Sequence, residues 1–303
     1  MAQLSIGYAA LLMEAPASGG APSWGDVQQW AQMAEAASFD TFWVADELVW
    51  EDQKAGTAAG WWEGVALAAA VAAVTERIGI GSWVLSALHR NPGLIVKSAE
   101  AIDEISGGRF VLGLGAGHAG RQGEMFGFPP DRTVSRYEEA LEVIVPLVRD
   151  GVADFEGEYH RAVRQPNRPR GPQGSAMPLM LGGHGPRTIG LAVRHADIWS
   201  AFATSSSQPE AFAEMLELVD RTCDEQGRDP ASLGRSIGIG VVPPGEEPTG
   251  FWPDPVSGSA EQIAETLSEF ETMGVTSIEL CIDGDQARGL ELLPGVLDLV
   301  KKG

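Results

Sequence analysis

The sequence predicts an α/β protein built as a closed (β/α)8 TIM barrel with insertions. Three observations carry that expectation. Short apolar runs alternate strictly with longer segments of helical period, eight of each. The runs are continuously apolar, as parallel strands buried on both faces must be. The length, 303 residues, exceeds the ~250 typical of such barrels by enough to hold insertions.

Taken in order, the strand at 4–10 (LSIGYAA) precedes a helix over 23–38, the strand at 41–46 (TFWVAD) one over 61–75, and that at 78–86 (IGIGSWVLS) one over 92–106. Strands at 109–115, 178–183, 197–202, 235–242 and 276–282 follow, with helices over 133–149, 186–195, 208–227, 259–273 and 286–301. Insertions interrupt the alternation at about 116–132, 152–177 and 243–258; the second contains a hairpin turning at Glu156-Gly157, then a Pro-rich linker. The expected organisation is one domain over 1–303, without tandem repeats or a low-complexity tail.

Composition narrows the function classes. With 44% hydrophobic residues and no apolar run long enough to cross a bilayer, one large core is affordable and no membrane partner is expected. The opening stretch lacks the basic start and long apolar segment of a signal peptide, so a cytoplasmic location is expected. Forty-two acids against 21 bases leave a formal charge of -21, which repels the phosphate backbone and argues against nucleic acid. Cys223 and Cys281, far apart in the chain, read as buried thiols rather than a disulfide or zinc site.

"GLGAGHAG" (113–120) contains a GxGxxG made by Gly115, Gly117 and Gly120. A dinucleotide fingerprint needs a strand, a tight turn and then a helix. The strand precedes it, but "RQGEMFGFPPDR" follows, with Gly123, Gly127 and Pro129-Pro130, which a first helix turn would not tolerate. In a barrel the same glycines acquire another meaning, because functional loops lie at the C-terminal strand ends. So do Asp46 and Glu47, "SWVLSALHRNP", "GGHGPRT" and the Trp-containing loop 243–258.

"GGHGPRT" is the clearest anion site: glycines after a strand expose N–H groups where a helix starts, and Arg187 adds a charge. Asp46 reads as a functional acid, or as an N-cap or partner for a nearby base. His118 titrates near neutrality and would shuttle a proton, or else faces solvent. The five histidines show no HExxH-like spacing, so no metal is expected. Trp43, Trp199 and Trp30 fit core faces. Trp50, Trp61, Trp62 and Trp252 fall in or beside mouth loops, where they would form an aromatic pocket, a lid or a dimer interface.

Several motifs in fixed order then carry a resemblance: "FWVADEL", "TERIGIGSWVLSALHRNPGLIVKSAEAIDEISGGRFVLGLGAG", "RYEEALEVI", "FEGEYHRA" and "PLMLGGHGPRTIGLAVRHADIW". Nearly the whole chain resembles the bacterial-luciferase-like family of flavin- and deazaflavin-dependent oxidoreductases. The resemblance implies a ring bound in the barrel mouth, resting on a bulge with a non-prolyl cis peptide near Trp83 and Val84. It implies that Asp46 hydrogen-bonds the ring's polar edge, and that Gly115, Ala116 and Gly117 let the ribityl chain pass. It assigns the cofactor phosphate to Gly182, Gly183, Gly185, Pro186, Arg187 and Thr188.

Glu47 departs from the family, whose deazaflavin-dependent dehydrogenases often carry histidine there; a carboxylate acts as acid or base only if burial raises its pKa. His118 stands where some sugar-phosphate dehydrogenases of the family place a catalytic glutamate. His89 and His195 fall at variable or structural positions, and His160 in the hairpin. The expected activity is that of an F420-dependent oxidoreductase passing hydride between the deazaflavin C5 and a small organic substrate. The alternatives are an FMN-dependent two-component monooxygenase supplied by a separate reductase, and a non-catalytic flavin-binding protein. A homodimer is expected, as is common in the family.

Overall fold

The structure, a computed structural model, describes residues 3–14, 20–52, 57–117, 121–129 and 131–302. Among them eight parallel strands close into a barrel: β1 (Ser5–Ala9), β2 (Thr41–Val44), β3 (Gly79–Ser82), β4 (Phe110–Gly115), β5 (Leu179–Gly182), β6 (Ile198–Phe202), β7 (Gly234–Val241) and β8 (Ser277–Ile282). Each pairs with the next in parallel, and β8 returns to β1 with Ser5 opposite Ser277. The helices are α1 (Trp24–Ala36), α2 (Gly64–Val74), α3 (Pro92–Ser106), α4 (Thr133–Arg149), α5 (Pro186–His195), α6 (Ala213–Gln226) and α7 (Ala260–Thr272). Two short helices, α8 (Gln286–Leu292) and α9 (Pro294–Val300), end the chain. No described helix is long and apolar enough to cross a membrane.

Local chemistry explains the element ends. Ser23 and Ser259 build capping boxes with Asp26 and Gln262, and Asn91 caps α3. The apolar stripes of the helices meet the strands' outward faces in one large core. Inside the barrel a smaller cluster of Ala9, Trp43, Met180 and Cys281 packs with Trp83, Val84 and Trp252. Two glycines admit those indoles. A Cβ on Gly81 would stand 2.0 Å from the Trp43 ring, and one on Gly238 2.0 Å from Trp83.

Five expectations are corrected. The segment after "GLGAGHAG" does form a helix, Arg121–Phe126, with Gly123 inside it; Gly127, at φ 73°, and the prolines lie just beyond its end. The strand expected over 78–86 is divided into Gly79–Ser82 and Leu85–Ser86, because Trp83-Val84 between them is a cis peptide bond. The helix expected from 61 starts at Gly64 with Glu63 as its N-cap, since a hairpin of Val49–Asp52 and Thr57–Gly60 occupies the preceding stretch. The helix expected over 208–227 opens with a 3-10 turn at Pro209–Phe212. The last helix divides at Pro294, which has no N–H to continue the first ladder.

Candidate active site

The site's floor is the break in β3. At the break the Ser82 hydroxyl both donates to the Gly113 carbonyl and accepts from the Gly113 N–H, each at 2.9 Å, replacing strand-to-strand bonds. Leu85 and Ser86 then rejoin β4 opposite Leu114 and Gly115. The Trp83 indole N–H donates to Ser200 Oγ (2.9 Å) on β6. The cis bond stands where the resemblance placed it.

Above this floor lies a cavity of about 580 Å³ at the C-terminal strand ends. Its walls include Trp83, Val84, residues 115–117 after β4, residues 182–188 after β5, Ser200, and Trp50, Trp61 and Trp252. The sequence-predicted cofactor residues therefore share one cavity. Trp62 does not join them: its indole N–H donates to the Pro22 carbonyl outside.

The cradle expected to hold an anion lies at the start of α5. Gly185 is its N-cap and supplies no side-chain hydrogen bond, so the first-turn N–H groups of Arg187 and Thr188 keep the unsatisfied donors of a helix N-terminus. Gly183 is required by closeness: a Cβ there would lie 2.3 Å from Thr188 Oγ1. Arg187, half-exposed, is turned toward α4, donating to Glu138 and to Ser135 Oγ (3.2 Å). On the opposite wall Gly117 has φ 83°, and a Cβ on Gly115 would stand 2.7 Å from Val84.

Asp46 lies at the cavity wall, and its carboxylate is fully buried and held by its neighbours. Arg90 holds it through both terminal nitrogens, at 2.6 and 2.8 Å, and the Ser86 N–H donates at 2.9 Å. His89 Nδ1 lies 3.2 Å away, off the line of a well-formed hydrogen bond. Burial alone would raise this acid's pKa; the contacts from His89, Arg90 and Ser86 outweigh it and hold Asp46 below the usual aspartate value. Arg90 also pairs with Glu63, the α2 N-cap. Of the two sequence readings, the partner for a nearby base matches these contacts.

Glu47 lies at the cavity wall and accepts from Gln122 Nε2 at 3.1 Å. The Gln122 carbonyl oxygen accepts from the N–H groups of Leu48 and Val49, tying the Trp50 hairpin to the helix 121–126. His118 lies outside the described residues. His195 is half-buried at the end of α5, and His160 is bound into the hairpin 152–166.

Sequence reasoning missed Arg90, Gln122, Ser200 and His184. The last lines the cavity with Nε2 3.1 Å from the Phe202 carbonyl oxygen. Arg90 is the neighbour of His89 in "LHRNP", and its basic side chain close after a strand end is the signal that points to it. Cys223 and Cys281 are buried and free, and burial pushes both thiols up. Native protein is therefore expected to show no fast-reacting thiol with an aromatic disulfide reagent, and two after unfolding; rapid native labelling would contradict this packing.

A closed parallel barrel with a glycine-rich helix start and an aromatic cavity at its mouth has the layout of the mouth-site barrel class. The class narrows to a family. Residues 5–244 match the family model described as luciferase-like monooxygenase, and the chain belongs to that family. It is 31% identical over 180 residues to the pyrimidine monooxygenase RutA of Enterobacter cloacae, matching 56% of this chain and 47% of that one. The chain thus spans about half the length of that curated relative. It is 29% identical over 275 residues to an F420-dependent glucose-6-phosphate dehydrogenase of Amycolatopsis mediterranei, covering 85% and 78% of the two chains. Among solved structures, an F420-dependent secondary alcohol dehydrogenase superposes with a TM-score of 0.81 at 19% identity, over 98% of this chain and 99% of the other.

Proposed function

We propose that this enzyme is an F420-dependent oxidoreductase acting on a small organic substrate at the barrel mouth. The observation that carries the reading is the continuity of one cavity from the cradle at Gly183–Thr188, across the Trp83-Val84 shelf, to the wall of Trp50, Trp61 and Trp252. Of the two curated relatives described above, the one that matches more of both chains, the glucose-6-phosphate dehydrogenase, uses that cofactor by name.

The residues present fit such a group. The first-turn N–H groups of α5 and Arg187 would hold its phosphate, Gly115–Gly117 would leave room for its chain, and the Trp83-Val84 backbone would support its ring. When bound, the deazaflavin supplies the carbon that exchanges hydride with the substrate. The protein's part is to orient the substrate between ring and tryptophans, to exclude water, and to move a proton at the floor or at Glu47. The monooxygenase relative supports a second reading, with FMN on the same shelf, reduced by a separate enzyme.

Titration of the purified protein with oxidised F420 and, in parallel, FMN, read by tryptophan quenching, separates the two. Preferential deazaflavin binding is expected, and preference for FMN would overturn the first reading. Arg187→Ala should weaken the preferred cofactor by about tenfold, the low end for a charge-assisted bond because Arg187 is half-exposed and shared with Glu138. Glu138→Gln should tighten binding by freeing that guanidinium.

A further inference from the structure

A fully buried carboxylate in the barrel lies beyond the site just described. Glu279 on β8 is fully buried among apolar residues. Its Oε1 accepts from Ser236 Oγ on β7 (2.9 Å) and from Ser277 Oγ (2.5 Å). Oε2 and the Trp43 indole nitrogen crowd the space over Gly7, where a Cβ would stand 2.0 Å from one and 2.3 Å from the other. Neither atom makes a well-formed hydrogen bond.

From Oε1 a continuous path leads to the cavity. Ser236 Oγ lies 3.3 Å from Ser200 Oγ on β6, and Ser200 lines the cavity floor and accepts from Trp83 Nε1. Because the single Ser236 proton is committed to the carboxylate, Ser200 must be the donor in the bond between the serines. With Glu279 ionised, every hydroxyl proton in the path is therefore oriented inward. With Glu279 protonated the order reverses: the acid donates to Ser236 and Ser236 to Ser200. The Ser200 proton, still barred from the Trp83 side by that indole's own N–H, is then offered to the cavity.

We propose that Ser200, Ser236 and Glu279 form a proton relay in which Glu279 takes a proton from, or returns one to, the group bound against the cavity floor. The inference rests on the mouth cavity being the site of function. In the inward direction a hydroxyl or ring N–H in the cavity gives its proton to Ser200 Oγ. The original Ser200 proton passes to Ser236, and that of Ser236 to Glu279 Oε1. One donor is left deprotonated and one carboxylate becomes a neutral acid, with no change in electron count.

The surroundings suit that exchange. Burial raises the acid's pKa to about 7, against the hydrogen bonds from Ser277 and Ser236 and the nearby Trp43 indole N–H. The other titratable groups that reach it are Asp40, ahead of β2, and the Cys281 thiol, two residues along the same face of β8. Among the described residues no lysine, arginine or histidine pairs with it.

Infrared pH-difference spectra of the purified chain, without added cofactor, test the relay. A protonated-carboxyl band should fade with a midpoint near 7 and be missing in Glu279→Gln. Ser236→Ala should raise the midpoint, since the charged form loses a donor. Ser200→Ala should leave it in place, because the Ser236 bond survives. After a pH jump both serine variants should exchange the proton roughly tenfold more slowly than the parent. Equal rates in all three proteins, or no titrating band between about pH 5 and 9, would overturn the relay and leave Glu279 a structural acid. If neither F420 nor FMN binds, the ring-site reading falls, while the spectra of the unliganded chain still decide the relay.

Discussion

Gly113→Ala is expected to destabilise the protein by about 3 kcal/mol or more, and to remove cofactor binding along with the fold's cooperativity. The added methyl would stand 1.9 Å from the Ser82 carbonyl oxygen, a backbone atom in the neighbouring strand. No rotamer change relieves that contact. Relief requires β3 to move away from β4 at the point where the Ser82 hydroxyl bridges both strands, and the Trp83-Val84 shelf moves with it. Gly190→Ala is the control. It sits within α5, where an added Cβ would have its nearest neighbour, Gln226 Nε2, at an ordinary 3.4 Å, so it should be neutral or stabilising by up to about 1 kcal/mol. Urea melts of both variants decide the matter: an unperturbed midpoint for Gly113→Ala would mean that the two strands do not meet as closely as described.

Asp46→Ala should cost about 3 kcal/mol and weaken cofactor binding as well, because the buried carboxylate organises the residues around the shelf. Removal leaves Arg90, which is largely buried, with Glu63 as its remaining ion-pair partner, and releases the Ser86 N–H at the far end of the shelf. The pH dependence follows from the direction of the shift. Because the folded pKa of Asp46 is depressed, its stabilisation is fully present above the unfolded carboxylate range and is lost as pH falls through the depressed value. Stability measured from about pH 6 down to 3 should therefore fall less steeply in Asp46→Asn than in the parent, from a lower starting point. Parallel acid limbs in the two proteins would show that Asp46 is not held ionised by Arg90.

Which parts of this arrangement could be read from the chain follows from how local their causes are. The eight strands and the cradle were legible because each rests on a contiguous run, such as "PLMLGGHGPRT", whose glycines and helix start are neighbours. The Asp46–Arg90 pair was not, since 44 residues separate its members and only the return of the chain after the shelf brings them together. The hairpin 49–60 was missed because "TAAG" has no strand propensity and is held by Val49–Asp52 across from it. The helix in "RQGEMF" is masked in the sequence by the breakers that crowd around it, although all but Gly123 lie after its last turn. The Ser200–Ser236–Glu279 path left a faint trace: a polar residue inside each of three otherwise apolar runs, "DIWSAF", "RSIGIGVV" and "TSIELCI".

The Trp50 hairpin is joined to the barrel at its base, by Gln122 on one side and by residues 12–14 on the other, where Glu14 accepts from the Gly60 N–H and Met13 bridges Trp61. The cradle and the shelf use none of these bonds. Exchanging that one short hairpin would therefore reshape the aromatic wall of the cavity while the Gly183–Thr188 loop and the Trp83-Val84 shelf stay in place, so the rim of the mouth can be rebuilt without disturbing its floor.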